Sequence, residues 1–222
     1  MTKAEPPLPE PAKTVSREPG AASAATKDNR SLSLVRAAYE VIAAEGFEGL
    51  RTRRVADRAG VNIATLHYYF PTKEALIRGL AEYLASLFGS VHATPVSPTG
   101  SAALDRLRQE FADARFYRLE RPDLLVVIQE LMLRAHRDPA VRSIIAPLTY
   151  HWRAGLQQLI EEGISEGVFR PDLVPVVAAT LVASTISGAI NFAVGPEVLD
   201  SIFREIERWL IISQKSKKPR KH

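Results

Sequence analysis

Residues 49–77 read GLRTRRVADRAGVNIATLHYYFPTKEALI, and the spacing within this stretch decides the fold. Thr52 is a good helix opener. Val55, Ala56 and Ala59 then recur at the interval that places them on one face of a short helix. Gly60 tolerates the positive φ of a tight turn. Asn62, another capping residue, starts a second short helix that runs to about Tyr69 and is ended by Pro71. Thr72 caps a longer helix beyond it. Two short helices joined by a glycine turn, with a basic flank on the first, form a helix-turn-helix. On the second helix Leu66 and Phe70, four apart, point to one side. His67, Tyr68 and Tyr69 crowd together beside them, and rings with polar tips gather in this way when they touch a partner.

The charge distribution indicates which partner. Arg51, Arg53, Arg54, Arg58 and Lys73 face only Asp57 between residues 51 and 73, and residues 214–222 carry five basic groups and no acidic one. The net charge is +4, yet residues 76–213 hold more acidic than basic groups. A small polyanion-binding module on a larger, mildly acidic body fits this pattern. Hydrophobic residues make up 46% of the chain, enough for a sizeable core, and cysteine is absent. That excludes disulfides and cysteine-based zinc sites, and it fits a reducing compartment. No apolar run is long enough to span a bilayer, and the N-terminus lacks the apolar core of a signal peptide. The expected location is the cytoplasm, with no membrane partner.

Outward from the motif the chain reads as helices throughout. Residues 1–28, rich in Pro and Ala, are expected to form a flexible arm. A first helix is expected over 31–45, and the helix after Thr72 carries Leu76, Ile77, Leu80, Leu84 and Leu87 inward. Residues 89–100 form a loop. Leu104, Leu107 and Phe111 mark a fifth helix. DLLVVIQELMLRAH (123–136) is apolar nearly all round and should be central. Asp138-Pro139 opens a seventh helix that Pro147 should kink or interrupt. Two helices follow, over about 173–193 and 196–213. The fold class is all-α: an N-terminal three-helix helix-turn-helix domain (29–75) suited to DNA binding, a larger C-terminal helical domain (76–213), and a basic tail (214–222).

With Val55-Ala56, Ala59-Gly60-Val61, Thr65-Leu66, Tyr69-Phe70, Lys73-Glu74 and Leu76 in register, the stretch resembles the DNA-binding region of TetR-family transcriptional regulators. The resemblance is motif-dense over about 45 residues. The rest is similar to the family only in architecture, and His67 stands where a tyrosine is more usual. It implies a homodimeric regulator of double-stranded DNA at a palindromic operator, most simply a repressor released by a small organic effector. It also fits roles that helix geometry assigns. Ile63, Ala64, His67 and Tyr68 face base edges. Thr65, Tyr69 and Lys73 face phosphate, with Lys73 beside a helix N-terminus. Thr52, Arg53 and Arg54 grip the backbone.

Three further groups of residues complete the expectation. Gln129, Arg134, His136, Tyr150 and His151 are polar positions within apolar stretches, as an effector pocket would need. Ala183 and Ser187 on the eighth helix, with Ile202, Phe203, Ile206, Trp209 and Leu210 on the ninth, are expected at a two-fold four-helix dimer interface. Gly163-Ile164-Ser165-Glu166-Gly167 matches G-x-S-x-G, so a serine hydrolase using Ser165 is the competing reading. The elbow of such enzymes needs a strand before it, whereas LQQLIEEG (156–163) is helical. No catalytic residue, cofactor or metal is expected.

Overall fold

The computed structural model describes residues 19–90 and 92–212. The expected arm as far as residue 18 and the basic tail at 214–222 lie outside the described residues. Among the described residues nine α-helices follow one another: α1 Pro19–Glu45, α2 Thr52–Arg58, α3 Ile63–Tyr69, α4 Lys73–Ser90, α5 Ala102–Glu120, α6 Pro122–Ala135, α7 Pro139–Ser165, α8 Pro175–Asn191 and α9 Pro196–Leu210. A 3-10 turn, Phe47–Gly49, joins α1 to α2.

Three boundaries differ from expectation. Helix α1 begins at Pro19 instead of 31. Proline suits the first helical position, and the alanine-rich run after it has high helix propensity. Thr52 is the first helical residue and not the cap. Arg51 holds the cap position and its side chain makes no capping bond. Pro147 does not interrupt α7, which runs unbroken. The proline lies on the exposed side, and the carbonyl it leaves without an N–H partner belongs to exposed Ser143, within reach of water.

The interior forms two apolar clusters. The first packs Leu34, Val35, Ile42, Val55 and Leu66 of α1–α3, with Phe70 just after α3, against Leu76, Leu80 and Leu84 of α4. It continues into Leu124, Val127 and Leu131 of α6 and Val141, Ile144 and Ile145 at the start of α7. The second joins α5, the rest of α7, α8 and α9 around Leu107, Phe111, Leu159, Ile160, Val182, Phe203 and Leu210. Phe111 and Phe203 stack with ring centroids 4.5 Å apart and planes 6° from parallel. Helix α6 is buried on one face only: Val126, Met132 and Leu133 are exposed, against the expectation that it is central on all sides.

The turn after α7 folds back on that helix. Fully buried Phe169 lays its ring against Gly163, and its backbone N donates to Gly163 O at 2.9 Å. The same turn pairs with the chain beyond α9: Arg170 N donates to Leu210 O at 2.8 Å and Ile212 N to Val168 O at 3.1 Å, an antiparallel bridge. The G-x-S-x-G match therefore lies at the end of a helix, where Gly163 makes room for a ring and Ser165 is exposed.

Candidate nucleic-acid interface

The α2–α3 turn is built from its own sequence. Gly60 has φ +65°, which lets Val61 N donate back to Ala56 O at 3.0 Å. Asn62 caps α3: its Oδ1 accepts from Thr65 N at 2.7 Å and from Thr65 Oγ1 at 2.9 Å. Leu66 and Phe70 are buried, so the opposite side of α3 must face solvent. Ala64, His67 and Tyr68 are exposed there, Tyr68 at 70%. Ile63 and Tyr69 are half-buried against the core. Tyr69 meets Tyr68 edge to face, centroids 5.1 Å apart. This is the geometry of a helix offered to a major groove.

The basic residues are not equally available. Arg53 is exposed at the start of α2. Arg54 is held by Glu45, with Nε at 3.2 Å from Oε2 and Nη2 at 2.7 Å from Oε1, so a phosphate must compete with that carboxylate. The Thr65 hydroxyl donates to Asn62 Oδ1 at 2.9 Å, so a phosphate must compete with that bond as well. Lys73 Nζ sits 4.6 Å from the centroid of Phe47. Partial burial holds its ammonium below the ordinary lysine range, against the opposing pull of the Glu48 carboxylate.

The five expected effector residues do not converge. Gln129 Nε2 donates to Asn191 Oδ1 of α8 at 2.8 Å. Arg134 is paired with Asp138 at 3.0 Å. His136, Tyr150 and His151 are exposed. Two surface clefts, one beside Arg204 and Arg208 and one between Arg36, Glu40 and Arg58, lie away from all five. The polar groups that do face inward are on α5. Asp113 is buried and ties down the segment after α4. Its Oδ1 accepts from Ala93 N at 2.7 Å and Gln109 Nε2 at 2.9 Å, and His92 Nδ1 lies 2.8 Å from its Oδ2. Glu110 accepts from Trp152 Nε1 at 3.1 Å, and burial raises its carboxyl above the usual range. Tyr117 donates to Phe88 O, and burial, then the charges of Asp113 and Glu110, push its phenol up to about 12. The sequence did carry a signal for this set. Glu110 and Asp113 are interleaved with the inward stripe Leu107, Phe111, Ala114, Tyr117.

The expected dimer residues divide. Ala183, Phe203, Ile206 and Leu210 are buried in the chain's own second cluster, while Ser187, Ile202 and Trp209 are partly exposed. The face that α8 leaves open is another stripe: Val177, Leu181, Ser184, Gly188 and Phe192, with Leu181 at 50% and Phe192 at 84% exposed. Val198 of α9 is also exposed.

Residues 34–80 match the family model described as bacterial regulatory proteins, tetR family. Over these residues the chain carries the DNA-binding region of the TetR family. The chain is 27% identical over 146 residues to the transcriptional repressor KstR2 of Mycolicibacterium smegmatis, covering 65% of this chain and 70% of that one. It is 40% identical over 63 residues, 28% of each chain, to the class C tetracycline repressor protein of Escherichia coli. A TetR regulator from Haloarcula marismortui has the same fold, with TM-score 0.69, 24% identity, and 82% of this chain and 97% of that one covered. The protein is a DNA-binding transcriptional regulator with an N-terminal helix-turn-helix and a C-terminal helical region. Among the described residues no helix is long and apolar enough to cross a membrane.

Proposed function

We propose that this regulator is a homodimeric repressor that binds a palindromic operator and leaves it when a small organic effector binds. The observation that carries the reading is the pairing of two open faces on one chain. The polar side of α3 offers Ala64, His67 and Tyr68, and the apolar stripe of α8 stands uncovered by the other described residues. A two-fold dimer through α8 and α9 sets two α3 helices to read successive half-sites about 34–36 Å apart. Repression is supported by the name of the KstR2 relative. The effector contacts are assigned to the inward groups Glu110, Asp113, Tyr117 and Trp152 in place of the five expected residues, which do not converge. Helix α4, with Lys73 at its start and Leu84 in the core, links the effector region to the DNA face.

The test is a binding titration on a duplex selected from a random pool by the wild-type protein. Lys73→Ala should weaken binding to selected and random duplexes alike. It should also flatten the dependence of log K on log salt by about 0.9 for each phosphate that is no longer neutralised, hence about 1.8 per dimer. His67→Ala should instead change the base preference, at a cost of roughly 1–3 kcal/mol at one position. Equal weakening by His67→Ala on both duplexes would remove it from the base-reading set. Failure of the wild type to enrich any sequence would remove the operator reading itself.

A further inference from the structure

The 3-10 turn between α1 and α2 is held by α6. Phe47 N donates to Glu130 Oε2 at 2.9 Å, although the two residues are 83 apart in sequence. One helical turn further on, the Arg134 guanidinium lies 5.2 Å from the centroid of the Phe47 ring and 3.6 Å from Glu48 Oε1. A second carboxylate, that of Asp138 at the cap of α7, fixes Arg134 at 3.0 Å. The same Phe47 ring carries Lys73 Nζ at 4.6 Å. One buried ring, in a turn whose amide is gripped from α6, thus meets a cation from α6 and the lysine at the head of α4.

We infer that Glu130 and Arg134 are positioning residues for DNA binding, which fix the Phe47 turn and through it the place of Lys73 at the DNA face. Neither touches DNA. Lys73 is exposed, and a cation over a ring at an exposed site is held only weakly, so the ring sets where the ammonium rests without preventing it from meeting a phosphate. The amide of Phe47 is the stronger handle, because a buried N–H left without an acceptor is costly. A shift of α6 moves Glu130 and Arg134 together, and with them the turn and the lysine. This gives the effector region a route to the DNA face that does not depend on tilting α4. The inference rests on the phosphate role of Lys73.

A double-mutant cycle on the selected duplex tests it, with the salt dependence measured for each variant. Lys73→Ala should weaken binding roughly tenfold at about 0.1 M salt and lower the salt slope by about 1.8 per dimer. Glu130→Ala should weaken binding several-fold and lower the slope in the same direction. In the Lys73→Ala background it should cost less than about twofold more, as expected for residues acting through one shared interaction. Glu130→Gln, which keeps an oxygen for Phe47 N, should recover the slope. If Glu130→Ala fails to fold, Glu130→Asp serves, since it is too short to reach that amide. Additive effects, or weaker binding at unchanged slope, would reduce Glu130 to a stabilising role and overturn the inference alone. An unchanged affinity and slope for Lys73→Ala would overturn it together with the phosphate role of Lys73.

Discussion

Replacing Leu181 by glutamate is expected to lower operator affinity by two orders of magnitude or more, although the residue is remote from the DNA face. Leu181 stands in the open stripe of α8 between Val177 and Ser184, half exposed in the isolated chain. Across a two-fold axis each substitution appears twice, so two carboxylates would be pressed into an apolar interface. Burying unpaired charge costs several kcal/mol per ion, enough to part the protomers at micromolar concentration. A lone protomer binds one half-site. It forgoes the advantage of a tethered second site, typically about 10²–10⁴ in apparent affinity. Because the side chain is exposed, helix content should be unchanged. Phe203→Glu is not an equivalent experiment: Phe203 is 6% exposed and stacked on Phe111, so a charge there would unfold the protomer. Light scattering decides the matter. A Leu181→Glu protein that still has the mass of a dimer at micromolar concentration would show that α8 is not the interface.

The second large effect concerns stability. Phe169 is fully buried, and a Cβ on Gly163 would overlap its ring. Phe169→Ala should cost about 3–5 kcal/mol through reduced burial and the cavity left behind. In a chain of this size that corresponds to a fall in melting temperature of roughly 6–20 °C. Gly163→Ala should cost about 1–3 kcal/mol by overpacking. The two costs should not add. With the ring removed the extra methyl has room, and Gly163→Ala in the Phe169→Ala background should be close to neutral. Additive costs would mean that the ring is not the obstruction. Ser165→Ala, at an exposed position of the same motif match, should change stability by less than about 0.5 kcal/mol. The glycine is needed for packing and the serine is not.

Helix α3 was legible because its signals are local. Asn62 reaches an amide three residues away, Gly60 answers to its own φ, and Leu66 and Phe70 find the core at helical spacing. The outer helices were harder for a definite reason. Periodicity orders residues around a helix axis, but it does not say which side the neighbours occupy. On α8 both Ala178–Val182–Ile186–Ala189 and Val177–Leu181–Ser184–Gly188 form acceptable apolar or small stripes. Packing against α5 and α7 chooses the first for the interior. Likewise Gln129 and Tyr150 are polar points on helices whose inward sides were already filled with aliphatic residues. The interior polar groups came from α5, where Glu110 and Asp113 alternate with the inward apolar stripe.

The first apolar cluster has a practical corollary for anyone building chimaeric regulators. Helices α1–α3 do not close their own interior: Leu124, Val127 and Leu131 of α6 and Val141 of α7 complete it, and Tyr39 of α1 donates to Asp123 Oδ2 at 2.6 Å. A fragment cut at residue 75 would expose that seam to water and leave its apolar residues without their covering. A transplant that also carries α6 and the first turns of α7 would take the seam intact. In this chain the DNA reader is a graft that must bring part of its host.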